Sequence, residues 1–331
     1  MIETNIMQPP AGLDEFLHRL GWGNAVVTPV AGDASFRRYF RANRGDGARA
    51  IIMDAPPPHE DPKPFVNLAI HLKQQGFRAP DIMGSDIERG IVLLEDFGDL
   101  QMRMHLNIFP EAAPAIYRQA IDLLVRLSGK PAAAVPPYDM AAYLRETQLF
   151  TDWYAPAMGL QIDAAAFQDL WRAALASIVA YGPKVTVLRD YHSENIMLLA
   201  DGGQGIIDFQ DALIGHPAYD LVSLLQDARR DVDPSLEQEM LAYYQAEAGV
   251  GDDFGLHYAL LGAQRNSKII GIFTRLWRRD GKSRYLDFLP RMWGLLERDL
   301  AHPGLAEIKH WFDLNIPPQI RSARPPEAAQ A

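Results

Sequence analysis

Val187–Leu199 reads V-L-R-D-Y-H-S-E-N-I-M-L-L, and after a short Gly-containing turn the chain continues from Gly205 as G-I-I-D-F-Q-D. Asp190 and Asn195 lie five positions apart, and Asp208 follows after one predicted β-hairpin. This spacing is typical of a phosphoryl-transfer site, in which a loop aspartate accepts the proton of the substrate hydroxyl. The asparagine and the second aspartate then bind Mg²⁺ against the phosphates of ATP, because Mg²⁺ prefers oxygen ligands. The stretch therefore predicts Asp190 as catalytic base, Asn195 and Asp208 as metal ligands, and ATP and Mg²⁺ as cofactors.

The composition suits a globular enzyme with two domains or lobes. The chain has 331 residues, of which 48% are hydrophobic and 22% charged, and its net charge is −10. This negative charge argues against a general nucleic-acid binder, which normally carries a basic surface. There is no cysteine, which fits a reducing compartment, and we see neither a signal peptide nor an apolar run of membrane-spanning length. We therefore expect a cytoplasmic protein with no nucleic-acid or membrane partner.

Periodicity places a β-rich segment before a helical one. Period-two patterns and turn residues predict strands, and apolar residues three and four apart predict helices. The predicted strands are Val26–Val30, Phe36–Ala42, Ala48–Asp54 and Gly90–Leu94. The predicted helices are Leu13–Leu20, Phe65–Gln75, Ala113–Leu127, Met140–Tyr154, Ala164–Tyr181, Ala218–Asp227, Leu236–Ala248, Leu256–Arg279 and Tyr285–Asp299. This order predicts an α+β fold with a small β-rich lobe in residues 1–97, a larger helical lobe in residues 98–316, and a loose Pro- and Ala-rich tail in residues 317–331.

Several motifs resemble one superfamily of small-molecule kinases. The motifs are G-D-A-S-F-R-R-Y-F from Gly32, I-M-D-A-P-P from Ile52, L-L-E-D-F-G-D from Leu93, and the stretch quoted above with its continuation to D-A-R-R at Arg230. Together they resemble the aminoglycoside phosphotransferase/choline kinase-like superfamily. Within it they are most similar to the bacterial anomeric sugar kinases that act on N-acetylmuramate and N-acetylglucosamine. The resemblance implies a protein-kinase-like two-lobe fold, a sugar acceptor phosphorylated at its C1 hydroxyl, and a role in peptidoglycan recycling.

Two further segments are predicted to contact ATP. The small-residue turn at Gly32, Asp33, Ala34 and Ser35 would cover the phosphates with backbone N–H groups, although a plain hairpin turn has the same composition. The acidic segment Glu95, Asp96 and Phe97, which follows a buried strand, would offer main-chain groups to adenine at a lobe hinge.

The acceptor is predicted to lie beside the second half of the motif. Gln210 and Asp211 follow Asp208 closely. The candidates to bind the lactyl carboxylate of N-acetylmuramate are Arg229 and Arg230, or Arg265, Lys268 and Arg275, and arginine in particular binds carboxylates bidentately. Arginines at helical spacing are also common on solvated faces, and Asp211 could cap a turn. The resemblance implies supporting roles for two other residues: His192 packs and hydrogen-bonds within the loop, and Asp220 anchors the loop through its backbone.

The chain departs from the superfamily pattern at two positions. Leu188 stands where the catalytic loop usually has histidine, and Met53 stands near the place of the third-strand lysine that pairs with the ATP phosphates. No glutamate in Phe65–Gln75 is a clear partner for such a lysine. Either another cation replaces it or ATP binds more weakly, and the sequence leaves four candidate cations: Arg37, Arg38, Arg41 and Lys63.

Two other functions remain open at the level of sequence. One is a kinase of the same fold for an aminoglycoside or another hydroxyl compound, whose polycationic substrate would require an acidic pocket. The other, of a different class, is a nucleotide-binding regulator without catalysis, which the missing lysine would permit. The presence of Asp190, Asn195 and Asp208 together favours an enzyme.

Overall fold

The computed structural model describes residues 8–30 and 36–326, and it divides the chain into two compact units. The first unit extends to Ile108 and also contains Glu194–Asp211, and the second holds Phe109–Ser193 and the chain from Ala212 onward. The sequence-based boundary after residue 97 differs from this division. Residues near 100 belong to the first unit because the backbone of Leu198 donates to the carbonyl of Leu100 over 2.8 Å.

The described elements follow the predicted order. The strands are β1 (Val26–Val30), β2 (Arg38–Asn43), β3 (Arg49–Asp54), β4 (Ile82–Asp86), β5 (Ile91–Glu95), β6 (Val185–Val187), β7 (Ile196–Leu198), β8 (Gln204–Ile206) and β9 (Leu213–Gly215). The helices are α1 (Leu13–Arg19), α2 (Lys63–Gln74), α3 (Met102–Ile108), α4 (Ala113–Ser128), α5 (Met140–Leu149), α6 (Ala155–Ala157), α7 (Ala164–Ala174), α8 (Ala176–Ala180), α9 (Ala218–Leu225), α10 (Pro234–Ala248), α11 (Phe254–Asp280), α12 (Leu289–Leu300), α13 (Ala306–Asn315) and α14 (Pro318–Arg321).

The first unit is built on an antiparallel sheet with the strand order β1-β2-β3-β5-β4. Side chains alternate between its faces, so Phe40 of β2 and Ile52 of β3 lie on one face, where they pack with Phe16 of α1 in a buried core. Tyr39 and Met53 are direct partners in the register and lie on the opposite face. One face of the sheet therefore carries the apolar core. The other face carries Met53, near the place where the superfamily has its third-strand lysine.

The second unit is mainly helical. The 27-residue α11 packs against α5, α9 and α12, and the short strands β6 and β9 pair beside these helices. A buried aromatic cluster includes Phe150, Trp293 and Phe312, with ring centroids 5.6 to 6.0 Å apart. The loop that contains Asp190 begins directly after β6 in this unit.

Several features differ from the sequence-based expectation. Periodicity did not predict β4, α3 or α13, and the single helix expected over Ala164–Tyr181 is interrupted between α7 and α8. Part of the segment expected to be a loose tail is ordered as α14. There Arg321 is buried, because its guanidinium donates to the carbonyl of Ile316 at 3.0 Å and pairs with Glu297 at 3.0 Å. Among the described residues, no helix combines the length and apolar character needed to cross a membrane.

Candidate active site

A hairpin in the first unit brings Asn195 and Asp208 together. Ile196 of β7 pairs with Ile206 of β8, so the residues that flank the two strands meet at the open end of the hairpin. The turn at the other end requires Gly202, whose φ of +82° is unfavourable for residues with a side chain. As a result, the amide nitrogen of Asn195 lies 3.4 Å from Asp208 Oδ2.

Asp208 is held in an uncommon backbone conformation. Its φ of +60° places it in the left-handed region, which costs an L-residue roughly 1–2 kcal/mol. The next residue, Phe209, is buried and stacks on Phe65 of α2 with centroids 4.9 Å apart, and Gln210 Nε2 donates to Asp208 Oδ1 at 2.8 Å. These contacts direct the carboxylate toward Asn195 despite the backbone strain.

The group fits a magnesium ion. Asp208 and Asn195 supply a carboxylate and an amide oxygen, the hard ligands that Mg²⁺ prefers, and Mg²⁺ takes its remaining ligands from water and phosphates. Gln210 Oε1 is buried without a hydrogen-bond partner, so a further oxygen of this group is unsatisfied. The predicted ligands Asn195 and Asp208 are thus adjacent, and the predicted acceptor residues Gln210 and Asp211 lie with them, Gln210 Nε2 being 3.2 Å from Asp211 Oδ2.

The segment predicted to contact adenine is anchored through its side chains. Arg41 Nε lies 2.8 Å from Asp96 Oδ2, and Asp96 Oδ1 accepts the N–H of Gly98 at 2.8 Å. The ring of Phe97 packs directly on Gly205, where an added Cβ would lie 2.6 Å from the ring, so only glycine fits at this position. With the side chains of Asp96 and Phe97 held in this way, the main chain is the part left to contact a nucleotide. The predicted phosphate-binding residues Gly32, Asp33, Ala34 and Ser35 lie outside the described residues.

In the second unit, Asp220 anchors the loop that contains Asp190. Asp220 is buried on α9, and its carboxylate accepts the N–H of Leu188 at 2.7 Å and the N–H of Arg189 at 2.8 Å. Arg189 has a φ of +70°, and its carbonyl accepts the hydroxyl of Ser223 at 3.1 Å. Burial raises the pKa of Asp220 to about 7, against the two N–H donors that favour its charged form. The predicted anchoring role of Asp220 is confirmed.

A buried ionic cluster on α5 and α11 lies beside the same loop, and the sequence did not indicate it. Glu146 accepts from Lys268 Nζ at 3.0 Å and from Arg189 at 2.5 Å, and the hydroxyl of Tyr138 donates to it as well. Burial by itself raises the pKa of Glu146, but the two cations outweigh it and bring the pKa down to about 2. The cluster connects Arg189, whose φ is positive, to α5 and α11.

The surroundings of Asp190 keep it ionised. Burial raises the pKa of its carboxyl, but Lys268, followed by His192 and Arg189, lowers it below the ordinary value of 3.8. A base must be deprotonated before it can accept a proton, so Asp190 is in the required state at neutral pH.

The other end of the loop is fixed to the D-A-R-R run. Asp227 accepts the hydroxyl of Ser193 at 2.5 Å and the backbone N–H of Arg229 at 2.8 Å. The buried His192 accepts from Arg229 Nη1 at 3.2 Å, which requires a neutral imidazole, and burial lowers the pKa of His192 accordingly. The side chain of His192 thus hydrogen-bonds to a residue outside the loop. Arg265 is buried on α11 and donates to Ser223 at 2.9 Å.

We expect Glu146→Gln to lower the stability of the protein strongly, because Lys268 and Arg189 would lose their buried counter-charge. Breaking a buried pair costs roughly 3–5 kcal/mol. The pKa of Glu146 falls from an ordinary 4.5 to about 2 on folding, so its contribution is complete above about pH 4.5 and is lost as the pH falls toward 2. The difference between the urea midpoints of wild type and variant should therefore be largest near neutral pH and shrink below about pH 4.5.

The matched control is Glu239→Gln, which removes a glutamate from an exposed pair with Arg118. Exposed pairs contribute roughly 0–1 kcal/mol, so this variant should unfold close to wild type. Equal midpoints for the two variants at pH 7 would contradict the stabilising role of the buried cluster.

The fold and these residues define an enzyme that transfers phosphoryl groups. A model of the APH phosphotransferase enzyme family matches residues 26–255, and the chain belongs to this family. The chain is 38% identical to the N-acetylmuramate/N-acetylglucosamine kinase of Pseudomonas aeruginosa over 314 residues, which cover 89% of this chain and 91% of the relative. It is 37% identical to the kinase of the same name from Caulobacter vibrioides, over 92% of this chain and 96% of the relative.

A solved structure shows the same fold at low sequence identity. The gentamicin complex of APH(2")-IIa superposes with a TM-score of 0.62 and 13% identity, covering 90% of this chain and 98% of that one. The predicted α+β, kinase-like fold is confirmed.

Proposed function

We propose that the protein is an ATP-dependent kinase that phosphorylates the C1 hydroxyl of N-acetylmuramate, N-acetylglucosamine or both. The observation that carries this proposal is the 37–38% identity, over about nine tenths of the chain, to two kinases named for these sugars. The adjacent Asn195 and Asp208 and the ionised Asp190 support the chemistry that such a reaction needs. The reaction would return cell-wall sugars to metabolism in the cytoplasm.

In this mechanism Asp190 orients the sugar hydroxyl and accepts its proton as the phosphoryl group is transferred. Asn195 and Asp208 hold Mg²⁺, which neutralises the charge of the phosphates and aligns the terminal phosphoryl group. Asp190 and Asn195 are five residues apart on one loop, and this loop is anchored by Asp220 and by Asp227. Such anchoring limits the motion of Asp190 during the reaction.

Cations of the second unit act on the proposed base. Lys268, Arg189 and Arg265 each lower the pKa of Asp190, and Lys268 and Arg189 are also paired with Glu146. The lactyl carboxylate of N-acetylmuramate would be attracted by such cations, which supports this acceptor. We retain Arg229 and Arg265 as acceptor residues on the second unit, and Gln210 and Asp211 as acceptor residues on the first.

ATP would be bound mainly through the first unit. The backbone of Glu95, Asp96 and Phe97 would receive adenine, and the backbone of Gly32–Ser35 would cover the phosphates. The fixed side chains of Asp96 and Phe97 support the adenine assignment, because they leave the main chain of the segment to contact the base.

We expect Mg²⁺-dependent release of ADP in the presence of N-acetylmuramate or N-acetylglucosamine, and none with their 1-O-methyl glycosides. The glycosides retain the ring and the N-acetyl group but lack the C1 hydroxyl, so they are matched controls. A panel of free sugars, glycosides and aminoglycosides should be assayed for ADP release, and the phosphate position in the product should be read by NMR. Phosphorylation of a 1-O-methyl glycoside would exclude anomeric transfer. Activity on aminoglycosides alone would favour the related kinase function, and no turnover with any acceptor would favour a nucleotide-binding regulator.

A further inference from the structure

The first unit has an apolar residue where its family has a cation. Met53 lies on β3 and is 1% exposed, and its direct neighbours on the sheet are Tyr39 of β2 and Val92 of β5. In kinases a lysine of the third strand binds the α- and β-phosphates and pairs with a glutamate of the following helix. Neither member of that pair is present at its usual place in this chain.

Three of the four replacement cations are engaged or placed elsewhere. Arg38 pairs with the buried Asp54 at 2.5 Å, and Arg41 pairs with Asp96 and Asp99 at 2.8 Å. Lys63 is exposed at the first residue of α2. These side chains lie at the start of β2, beside the segment after β5 and at the start of α2, and within residues 8–30 and 36–326 none of them forms an ion pair with Asp208.

Arg37 is the cation beside the metal-binding group. Its side chain is only 13% exposed, and its guanidinium lies 4.0 Å from Asp208 Oδ1 and 3.8 Å from Asp211 Oδ2. It also pairs with Glu60, which precedes α2, at 3.6 Å. Tyr39 is the cross-strand neighbour of Met53. Burial raises the pKa of the Tyr39 hydroxyl to about 12, and the charges of Arg37 and Asp208 also act on this hydroxyl.

We propose that Arg37, paired with Glu60, replaces the third-strand lysine and its helix glutamate, and that Arg37 binds the phosphates of ATP. This role rests on the nucleotide site of the proposed function. Arg37 reaches the position from the start of β2, two residues before the neighbour of Met53, while Glu60 reaches it from the loop before α2. A guanidinium carries five N–H donors, so Arg37 can bind a phosphate bidentately and keep its contact with Glu60. Because Asp208 is a proposed metal ligand, a cation 4.0 Å from it is placed for the same phosphates that the metal would bind.

The test is nucleotide binding without any sugar, measured by calorimetry for ATP, ADP and adenosine with Mg²⁺. Arg37→Ala should weaken the binding of ATP and ADP about 10- to 100-fold, the range for one lost charge-assisted contact, and leave adenosine binding unchanged. Arg37→Lys should retain part of the affinity. The matched control is Arg44→Ala, since Arg44 is an arginine of the same sheet region that pairs with Asp46 at a hairpin.

Unchanged ATP and ADP affinity in Arg37→Ala would overturn the proposal. An equal loss for adenosine, together with a lower melting temperature, would also overturn it, because Arg37 would then support the fold and not the phosphates. Recovery of ATP binding in the double variant Arg37→Ala, Met53→Lys would support the replacement directly. These results are independent of the sugar: failure of every sugar to stimulate ADP release would remove the proposed acceptor without changing the outcome for Arg37.

Discussion

Asp190→Asn is expected to lower kcat about 10²- to 10⁴-fold and to leave the affinity for ATP unchanged. The amide has nearly the shape of the carboxylate but cannot accept the proton of the sugar hydroxyl, and this range is the usual contribution of a positioned base. In wild type, Lys268 and its neighbours hold the pKa of Asp190 below 3.8, so its carboxyl is ionised throughout the neutral range. Turnover should be measured as ADP release at saturating sugar, and ATP binding by calorimetry.

The control for this prediction is Asp169→Asn on α7, where the side chain is 82% exposed and its ion-pair partner, Arg172, is 3.9 Å away. This variant removes one exposed carboxylate from the same unit, and it should retain wild-type turnover. If Asp190→Asn kept kcat within a few-fold of wild type, Asp190 would not be the base. A parallel loss of ATP affinity would indicate that the substitution had disturbed the loop as a whole.

Asp220→Ala is expected to destabilise the second unit by roughly 2–5 kcal/mol and to reduce turnover even where the protein remains folded. The substitution leaves the backbone N–H groups of Leu188 and Arg189 without their acceptor, and each unsatisfied buried donor costs about 1–3 kcal/mol. Arg189 would also lose the contact that holds its φ at +70°. The measurements are the melting temperature, which should fall by several degrees, and kcat well below that temperature.

Asp220→Asn separates the two effects. It retains one oxygen acceptor at the same place, so its melting temperature should lie between those of wild type and Asp220→Ala. A melting temperature for Asp220→Ala within about 1 °C of wild type would show that the two N–H groups find other acceptors. Full turnover in that variant would show that the conformation of Arg189 does not matter for the reaction.

Local patterns predicted most of the elements. The bounds of β1 are as expected, and β3 begins one residue later, because the alternation of apolar residues and the turn between β2 and β3 are both short-range signals. β4 was not expected, since I-M-G-S-D contains a glycine and two polar residues and has little of the strand pattern. The strand β4 forms because its backbone pairs with β5, and its own residues give no signal of this pairing.

The site residues also fall into two groups: those that local sequence patterns could assign and those that only helix and sheet packing brings together. Asn195 and Asp208 could be paired from the sequence because a single hairpin joins them, and the length of a hairpin is visible in the chain. Glu146 could not be assigned, because it lies 43 residues from Arg189 and 122 from Lys268, and its two partners reach it only through helix packing. Glu60 could not be assigned either, because it precedes α2, whereas the usual partner of the third-strand lysine is a glutamate within that helix.

The sequence by itself determined the class of reaction, since Asp190, Asn195 and Asp208 lie on one loop and hairpin whose local geometry follows from their spacing. Only the tertiary structure shows which charged side chains lie near these residues. It places Arg37 4.0 Å from Asp208 in the first unit, and in the second unit it pairs Arg189 with Glu146 and brings Lys268 close enough to lower the pKa of Asp190. The physical reason is that an ion pair depends on the distance between side chains after packing, and this distance is set by the helices and the sheet together and not by separation along the chain.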